Sequence, residues 1–250
     1  HSPHSYSERL MVYGAAGTGK SLFYVDIYDN TDSDMYVLDT DLAADRMFAE
    51  RDQSRLHAYA AFDYEESARA LMKITKRVKP EDWVVIDMLS PIWPWALHYW
   101  IQKREKVTPD EMTLWIPAPK WKPDWSEVNT VYLNLMTLLF KSGCNIFAVC
   151  EEDKTITDGK WQDDENVLAT FQSEGYRPRG QKRTPHLFHT VFHNFKVGSR
   201  YFTNVVKERE GRDCDWTRHE MTDRSFTDEY LVNVASWTSN TEPKKRRRTA

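Results

Sequence analysis

Long apolar runs are missing from this chain of 250 residues. None approaches the roughly 20 residues that cross a bilayer as a helix, so no membrane span is expected, and no secretory leader is read at the start. Cysteine is scarce. Cys144, Cys150 and Cys214 show no paired spacing, which argues against a disulfide framework or a zinc site and for a reducing, cytoplasmic compartment. An excess of positive charge is lacking too: the net charge is −4, so any polyanion site has to be a local patch. No internal repeat is visible. What remains, 40% hydrophobic and 29% charged residues, is ordinary for a globular chain. The length predicts one large domain, 9–237, followed by a basic tail, 238–250. Lys244-Lys245-Arg246-Arg247-Arg248 in that tail has the form of a nuclear-localisation run, although such runs more often stay solvated or bind polyanions nonspecifically.

Against that background one stretch stands out. Gly14-Ala15-Ala16-Gly17-Thr18-Gly19-Lys20-Ser21 matches G-x-x-x-x-G-K-[ST], the phosphate-binding loop. Leu10 to Tyr13 reads as a strand entering it and Leu22 to Tyr28 as a helix leaving it. Its three glycines let consecutive backbone N–H groups converge on one anion, with the positive end of the helix dipole behind them. In this motif Lys20 reaches the β- and γ-phosphates of ATP, and the Ser21 hydroxyl binds Mg²⁺.

Downstream, strands alternate with helices. Met35 to Asp39 reads as a strand, Leu42 to Arg51 as helical, Leu56 to Phe62 as a strand and Tyr64 to Val78 as an amphipathic helix. Trp83-Val84-Val85-Ile86-Asp87 is an unbroken apolar run closed by aspartate. It suits a central parallel strand buried on both faces, with Asp87 on the ligand edge as the Walker B carboxylate for Mg²⁺. The segment from Pro91 to Pro123 is irregular and rich in tryptophan. Ser126 to Phe140 reads as a helix capped by Ser126, and Cys144 to Cys150 as another buried strand. An Asp158-Gly159 hairpin is expected within 155–161. A loop is expected from Asn166 to Arg183, and paired strands at 186–197 and 201–207. The predicted fold is therefore α/β: a mainly parallel sheet flanked by helices, with a C-terminal antiparallel strand pair. Two strand–helix units between the phosphate loop and Asp87 indicate the branch in which an extra strand separates the Walker A and Walker B strands.

Hydrolysis needs a carboxylate to polarise the attacking water. Met88 follows Asp87, so that carboxylate comes from elsewhere. Asp41, closing the second strand, is the first candidate, with helix N-capping as its bland alternative. Glu151, past the Cys150 strand, is the fallback. Val37-Leu38-Asp39-Thr40-Asp41-Leu42-Ala43-Ala44-Asp45 resembles the RecA-family segment whose catalytic Glu follows its second strand, with Asp41 in that Glu's place. Lys207-Glu208-Arg209 resembles the Lys-x-Arg finger that RecA-like ATPases present to the next subunit's γ-phosphate; its alternative is a solvated basic strand end. With Gly180-Gln181-Lys182 and the stretch from Thr203 to Gly211, the chain is similar to the RecA-like ATPases common in tailed phages. Among these are single-strand annealing recombinases that keep only the RecA core.

The resemblance implies a ring or filament oligomer with ATP between subunits, acting on single-stranded DNA in recombination or replication, in the host cytoplasm if phage-encoded. The DNA-gripping loops would be the segments from Ser90 to Trp125 and from Lys154 to Arg183. The first mixes Trp93, Trp95, Trp100, Trp115, Trp121 and Trp125 with Lys and Arg. The second carries Lys154, Lys160, Arg177, Arg179, Lys182 and Arg183. The tryptophans can equally form a satellite core. Two other functions stay open: a nucleotide-gated assembly protein without nucleic acid, and a DNA packaging or helicase motor. His186, His189 and His193 lack the carboxylate or thiol partners in sequence that a metal site needs.

Overall fold

The computed structural model describes residues 7–106, 123–157, 160–161 and 165–237. Its strands are β1 (Arg9–Gly14), β2 (Met35–Asp39), β3 (Leu56–Ala60), β4 (Trp83–Asp87), β5 (Asn145–Lys154), β6 (Ile156–Thr157), β7 (Lys160–Trp161), β8 (Tyr176–Pro178), β9 (Thr190–Val197), β10 (Arg200–Glu208) and β11 (His219–Glu220). The α-helices are α1 (Lys20–Asn30), α2 (Ala44–Phe48), α3 (Tyr64–Ile74), α4 (Ile92–Glu105), α5 (Trp125–Phe140) and α6 (Glu165–Phe171).

One sheet runs in the order β11-β10-β9-β1-β5-β4-β2-β3, with β8 antiparallel to the far end of β5. The pairs from β9 through β3 are parallel, and β10 returns antiparallel on β9. The expected α/β architecture is thus the one observed, and β5 is the extra strand between the phosphate-loop strand β1 and the Walker B strand β4.

Alternation along each strand sorts the core into two layers. Met11, Tyr13, Val84, Ile86, Ile146 and Ala148 face α3, α4 and α5. Leu10, Val12, Trp83, Val85, Phe147 and Val149 face α1, α2 and the C-terminal segment around Phe226 and Tyr230. Strands covered on both sides must be apolar at every position, which is why β2 and β4 read as unbroken buried runs. The same alternation has a functional consequence. Asp39 and Asp87 share parity with Val37 and Val85, so both fall on the α1 side.

Several sequence expectations are corrected. The leading part of the segment expected to be irregular is helix α4 (Ile92–Glu105): Ile92, Ala96 and Trp100 recur every four residues and are all buried. Asp124, not Ser126, caps α5, accepting from the Ser126 and Glu127 amides at 3.0 and 3.4 Å. The loop expected from 166 to 183 contains α6, whose Val167 and Phe171 are buried one turn apart, and strand β8. The first two residues of 186–197 belong to a 3₁₀ turn (Thr184–Leu187), and the strand proper starts at Thr190. At 155–161, β6 and β7 pair antiparallel as a hairpin requires; the Asp158-Gly159 turn lies outside the described residues, as do Trp115, Trp121 and the tail run from Lys244 to Arg248.

Candidate nucleotide-binding site

The phosphate loop leaves β1 at its carboxyl end. Gly14 pairs with Glu151 on one side and Asn194 on the other. A Cβ at position 14 would lie 2.1 Å from the Asn194 carbonyl oxygen, so β9 approaches too closely for any residue but glycine. At the other end of the loop, Gly19 adopts a left-handed conformation (φ 80°) as the residue before α1. The Thr18 hydroxyl donates to the Ala15 carbonyl at 2.9 Å and braces the turn. The buried Lys20 ammonium donates to the carbonyls of Gly14 and Ala15 at 2.9 and 2.7 Å, folded over its own loop. Burial pulls its pKa down; the charge of Asp87, and less so that of Glu152, Cys150 and Glu151, opposes this.

Three aspartates gather on the same sheet edge. Asp39 and Asp87 are direct partners in the β2–β4 register. Asp87 is 2% exposed, and burial pushes its carboxyl pKa up. Its Oδ2 accepts from the Tyr24 hydroxyl at 2.8 Å, the Ser21 side chain lies within hydrogen-bonding reach, and its Oδ1 is buried with no partner. An orphaned carboxylate oxygen beside a serine hydroxyl and a lysine is a donor set that fits Mg²⁺ held with nucleotide phosphates. Ser21 and Asp87 are the residues that would hold it.

Asp39 accepts from the amides of Ala43 and Ala44 at 3.2 and 3.1 Å and so caps the start of α2. The capping task weighed for Asp41 therefore falls mainly to Asp39; Asp41 keeps one longer contact, 3.3 Å to the Ala43 amide. Asp41 is exposed at the site's mouth, and its pKa is pushed up to about 6 by desolvation, then by the charge of Asp87 and by Asp39. Thr40 fixes this turn to the Walker B strand. Its hydroxyl accepts from the Met88 amide at 2.7 Å and donates to the Met88 carbonyl at 2.9 Å, and its own amide donates to the Asp87 carbonyl at 2.7 Å.

The site residues named from sequence separate into groups. Lys20, Ser21, Asp87 and Asp41 come together around the loop. Glu151 sits beside Gly14 in register, but its carboxylate is engaged by Arg179 at 2.8 Å. Lys207 and Arg209 lie elsewhere. Glu208 pairs with Thr190 and Leu10 pairs with the same Thr190, so this end of β10 is at the sheet edge opposite the chain's own phosphate loop. The half-buried Lys207 ammonium donates to the Pro185 carbonyl at 2.7 Å and to that of Phe188; burial, then the charge of Arg209, pushes its pKa down to about 8. Arg209 is exposed beyond the strand. The two side chains that strand spacing put on one face thus differ in setting, because β10 ends at Glu208: Lys207 is still on the strand and bonded to the neighbouring carbonyls, while Arg209 is past its end.

The segments assigned to DNA also divide. Trp93 and Trp95 pack against the core, and the Trp100 indole donates to Glu127 at 2.7 Å; these belong to the satellite core. Trp125 is 51% exposed. Arg177 is buried against Asp153, Arg179 is paired with Glu151, and Lys154 and Arg183 are exposed.

A model of the AAA domain family matches residues 7–201, from before the phosphate loop through the start of β10. The chain belongs to the AAA domain family. This AAA domain is a P-loop nucleotide-binding fold, with one strand between those that carry its two Walker motifs. Among solved structures it is similar to the crystal structure of the RadB recombinase, with 12% identity, a TM-score of 0.46 and 83% of each chain covered. No curated protein matches it. No helix among the described residues of the domain is long and apolar enough to cross a membrane.

Tyr24, Asp39 and Thr40 were not singled out from sequence. Tyr24 follows Lys20 and Ser21 by four and three residues, the spacing that stacks side chains on one helix face, and Asp39 and Thr40 flank the aspartate that was named. His193 was named from sequence, but the two glutamates it meets were not. His193, 5% exposed, contacts Glu174 at 2.7 Å and Glu152 at 3.4 Å under the stacked ring of Tyr13. His189 lies apart, beside Glu210 at 3.1 Å.

Proposed function

We propose that this domain is a Mg²⁺-dependent ATPase that works as an oligomer on single-stranded DNA, in recombination or replication of the kind phage RecA-like proteins perform. The observation that carries the ATPase reading is the arrangement on one sheet edge: a glycine-built phosphate loop, Lys20, a serine beside a buried carboxylate with an unpartnered oxygen, and a second carboxylate, Asp41, at the mouth. Lys20 leaves its loop carbonyls to meet the β- and γ-phosphates. The loop amides and the start of α1 hold the triphosphate in place. Mg²⁺ bound by Ser21 and Asp87 would neutralise developing phosphate charge. Asp41, fixed by Thr40, accepts the proton of the attacking water once it is ionised, with Glu151 as the alternative base after release from Arg179.

Assembly is supported by the position of Arg209. It is exposed and on the sheet edge away from its own nucleotide, so any γ-phosphate it meets is a neighbour's. DNA contact is supported by the exposed Trp125, Lys154 and Arg183 on segments that follow β4 and β5. Steady-state ATPase measurements with and without single-stranded oligonucleotide test the whole reading. The wild type is expected to hydrolyse ATP, to be stimulated by the strand and to show quenched tryptophan fluorescence on binding it. Lys20→Ala is expected to lose nucleotide binding. ATP hydrolysis with no DNA-dependent change in rate, fluorescence or assembly would favour the nucleotide-gated assembly protein instead, and hydrolysis coupled to movement along duplex DNA would favour a packaging or helicase motor.

A further inference from the structure

We infer that Tyr24 is a positioning residue for the metal-binding carboxylate, setting which oxygen of Asp87 is offered to Mg²⁺; this rests on the nucleotide-site reading above. Tyr24 lies one turn along α1 from Lys20 and Ser21, on the α1 side that Asp87 also faces. Its side chain is fully buried, with Phe48 and Phe147 at 6.1 and 6.2 Å between ring centroids. The ring is thus fixed by packing, and its hydroxyl has little freedom.

That hydroxyl has one proton and two neighbours, Asp87 Oδ2 at 2.8 Å and the Met47 sulfur at 3.3 Å. A carboxylate is much the better acceptor, so the proton points at Oδ2. Asp87 cannot then rotate without breaking a charge-assisted bond in a buried place. Oδ2 is occupied, and Oδ1, buried and unpartnered, is the oxygen left for the water shell of the metal. The chain thus supplies through its own phosphate-loop helix the outer partner that ligating carboxylates need. The α1 helix presents the lysine, the serine and the tyrosine together, so phosphate, metal and carboxylate share one rigid support.

The test uses the full chain, Mn²⁺ as the probe read by electron paramagnetic resonance in the presence of ADP, and fluorescent ADP binding in EDTA. Tyr24→Phe keeps the ring and removes the hydroxyl. Its expected effect is Mn²⁺ affinity weakened about 10–100-fold, with metal-free ADP binding within about twofold of wild type. Loss of packing alone would move both readouts together, and that result overturns the proposal, as does unchanged Mn²⁺ affinity. A second arm is a double-mutant cycle. In an Asp87→Asn background the Tyr24→Phe change is expected to add nothing to the Mg²⁺ concentration needed for half-maximal hydrolysis, whereas independent, additive effects would overturn the assignment. If the wild type binds neither ADP nor Mn²⁺, the nucleotide-site reading itself fails, a result distinct from the loss of Tyr24's role alone.

Discussion

Asp41 owes its raised pKa first to desolvation and then to its neighbours. It sits by two other aspartates, and of the three Asp39 is secured by two backbone amides and Asp87 by the Tyr24 phenol. Asp41 has only one longer amide contact, and desolvation together with the nearby charge of Asp87 pushes its pKa up to about 6. Two consequences follow, of opposite sign. For catalysis, a protonated Asp41 cannot accept a proton from water, so kcat should fall about tenfold per pH unit below about 6 and level off above it. For stability, a carboxyl whose folded pKa lies above its ordinary 3.8 costs the fold nothing below that value. Its penalty grows as pH rises from there to about 6 and is then complete. Asp41→Asn should therefore remove the acid limb and lower kcat by roughly 10²–10⁴, while leaving thermal stability at neutral pH equal to or above that of the wild type. Single-turnover rates and melting curves across pH 5 to 8 check both. The same kinetic loss in Glu151→Gln, with Asp41→Asn silent, would move the role of base to Glu151.

The elements show where a linear reading succeeds. β2 and β4 were legible to the residue, because a strand covered on both faces leaves no polar position to blur its ends. The phosphate loop was legible because its chemistry is fixed in eight consecutive residues. What stayed hidden depends on distance in sequence. That α4 is core was masked by tryptophans that look equally suited to stacking bases, and only the packing of Ile92, Ala96 and Trp100 decides it. Lys207 and Arg209 look equivalent two residues apart, but β10 ends between them, and only Lys207 meets the carbonyls of Pro185 and Phe188. Their substitutions should differ accordingly. Lys207→Ala removes a bridge between β10 and the 3₁₀ turn and should lower stability by about 1–3 kcal/mol, read by urea denaturation. Arg209→Ala should leave stability and ATP binding unchanged and lose turnover in the assembled state. Normal turnover by an Arg209→Ala oligomer would remove the finger assignment.

At the scale of the molecule, the beginning and the end of the described chain are fastened together. Glu8, 4% exposed, forms a two-pronged pair with Arg212 at 2.6 and 3.1 Å. Arg212 also donates to the Tyr230 hydroxyl at 3.0 Å, which in turn meets Thr190. On the same side, Asp26 of α1 accepts from the Ser225 hydroxyl and the Thr227 amide, and Phe226 stacks on Phe23 at 4.2 Å. Removing one member of a buried pair strands the other, so Arg212→Ala should cost about 3–5 kcal/mol. The double change Glu8→Leu with Arg212→Leu should recover much of that in equilibrium unfolding; if it does not, the pair's packing matters more than its charge.

The place of β1 in the sheet has a consequence for how the protein comes into being. The phosphate loop follows β1 directly, yet β1 is flanked by β5 and β9, which end at Lys154 and Val197. During synthesis the loop leaves the ribosome before either neighbour of β1, and closing those contacts spans most of the domain. Nucleotide capture is therefore deferred until nearly the whole domain has been translated. A nascent chain arrested before β9 should carry the complete motif and bind no ATP.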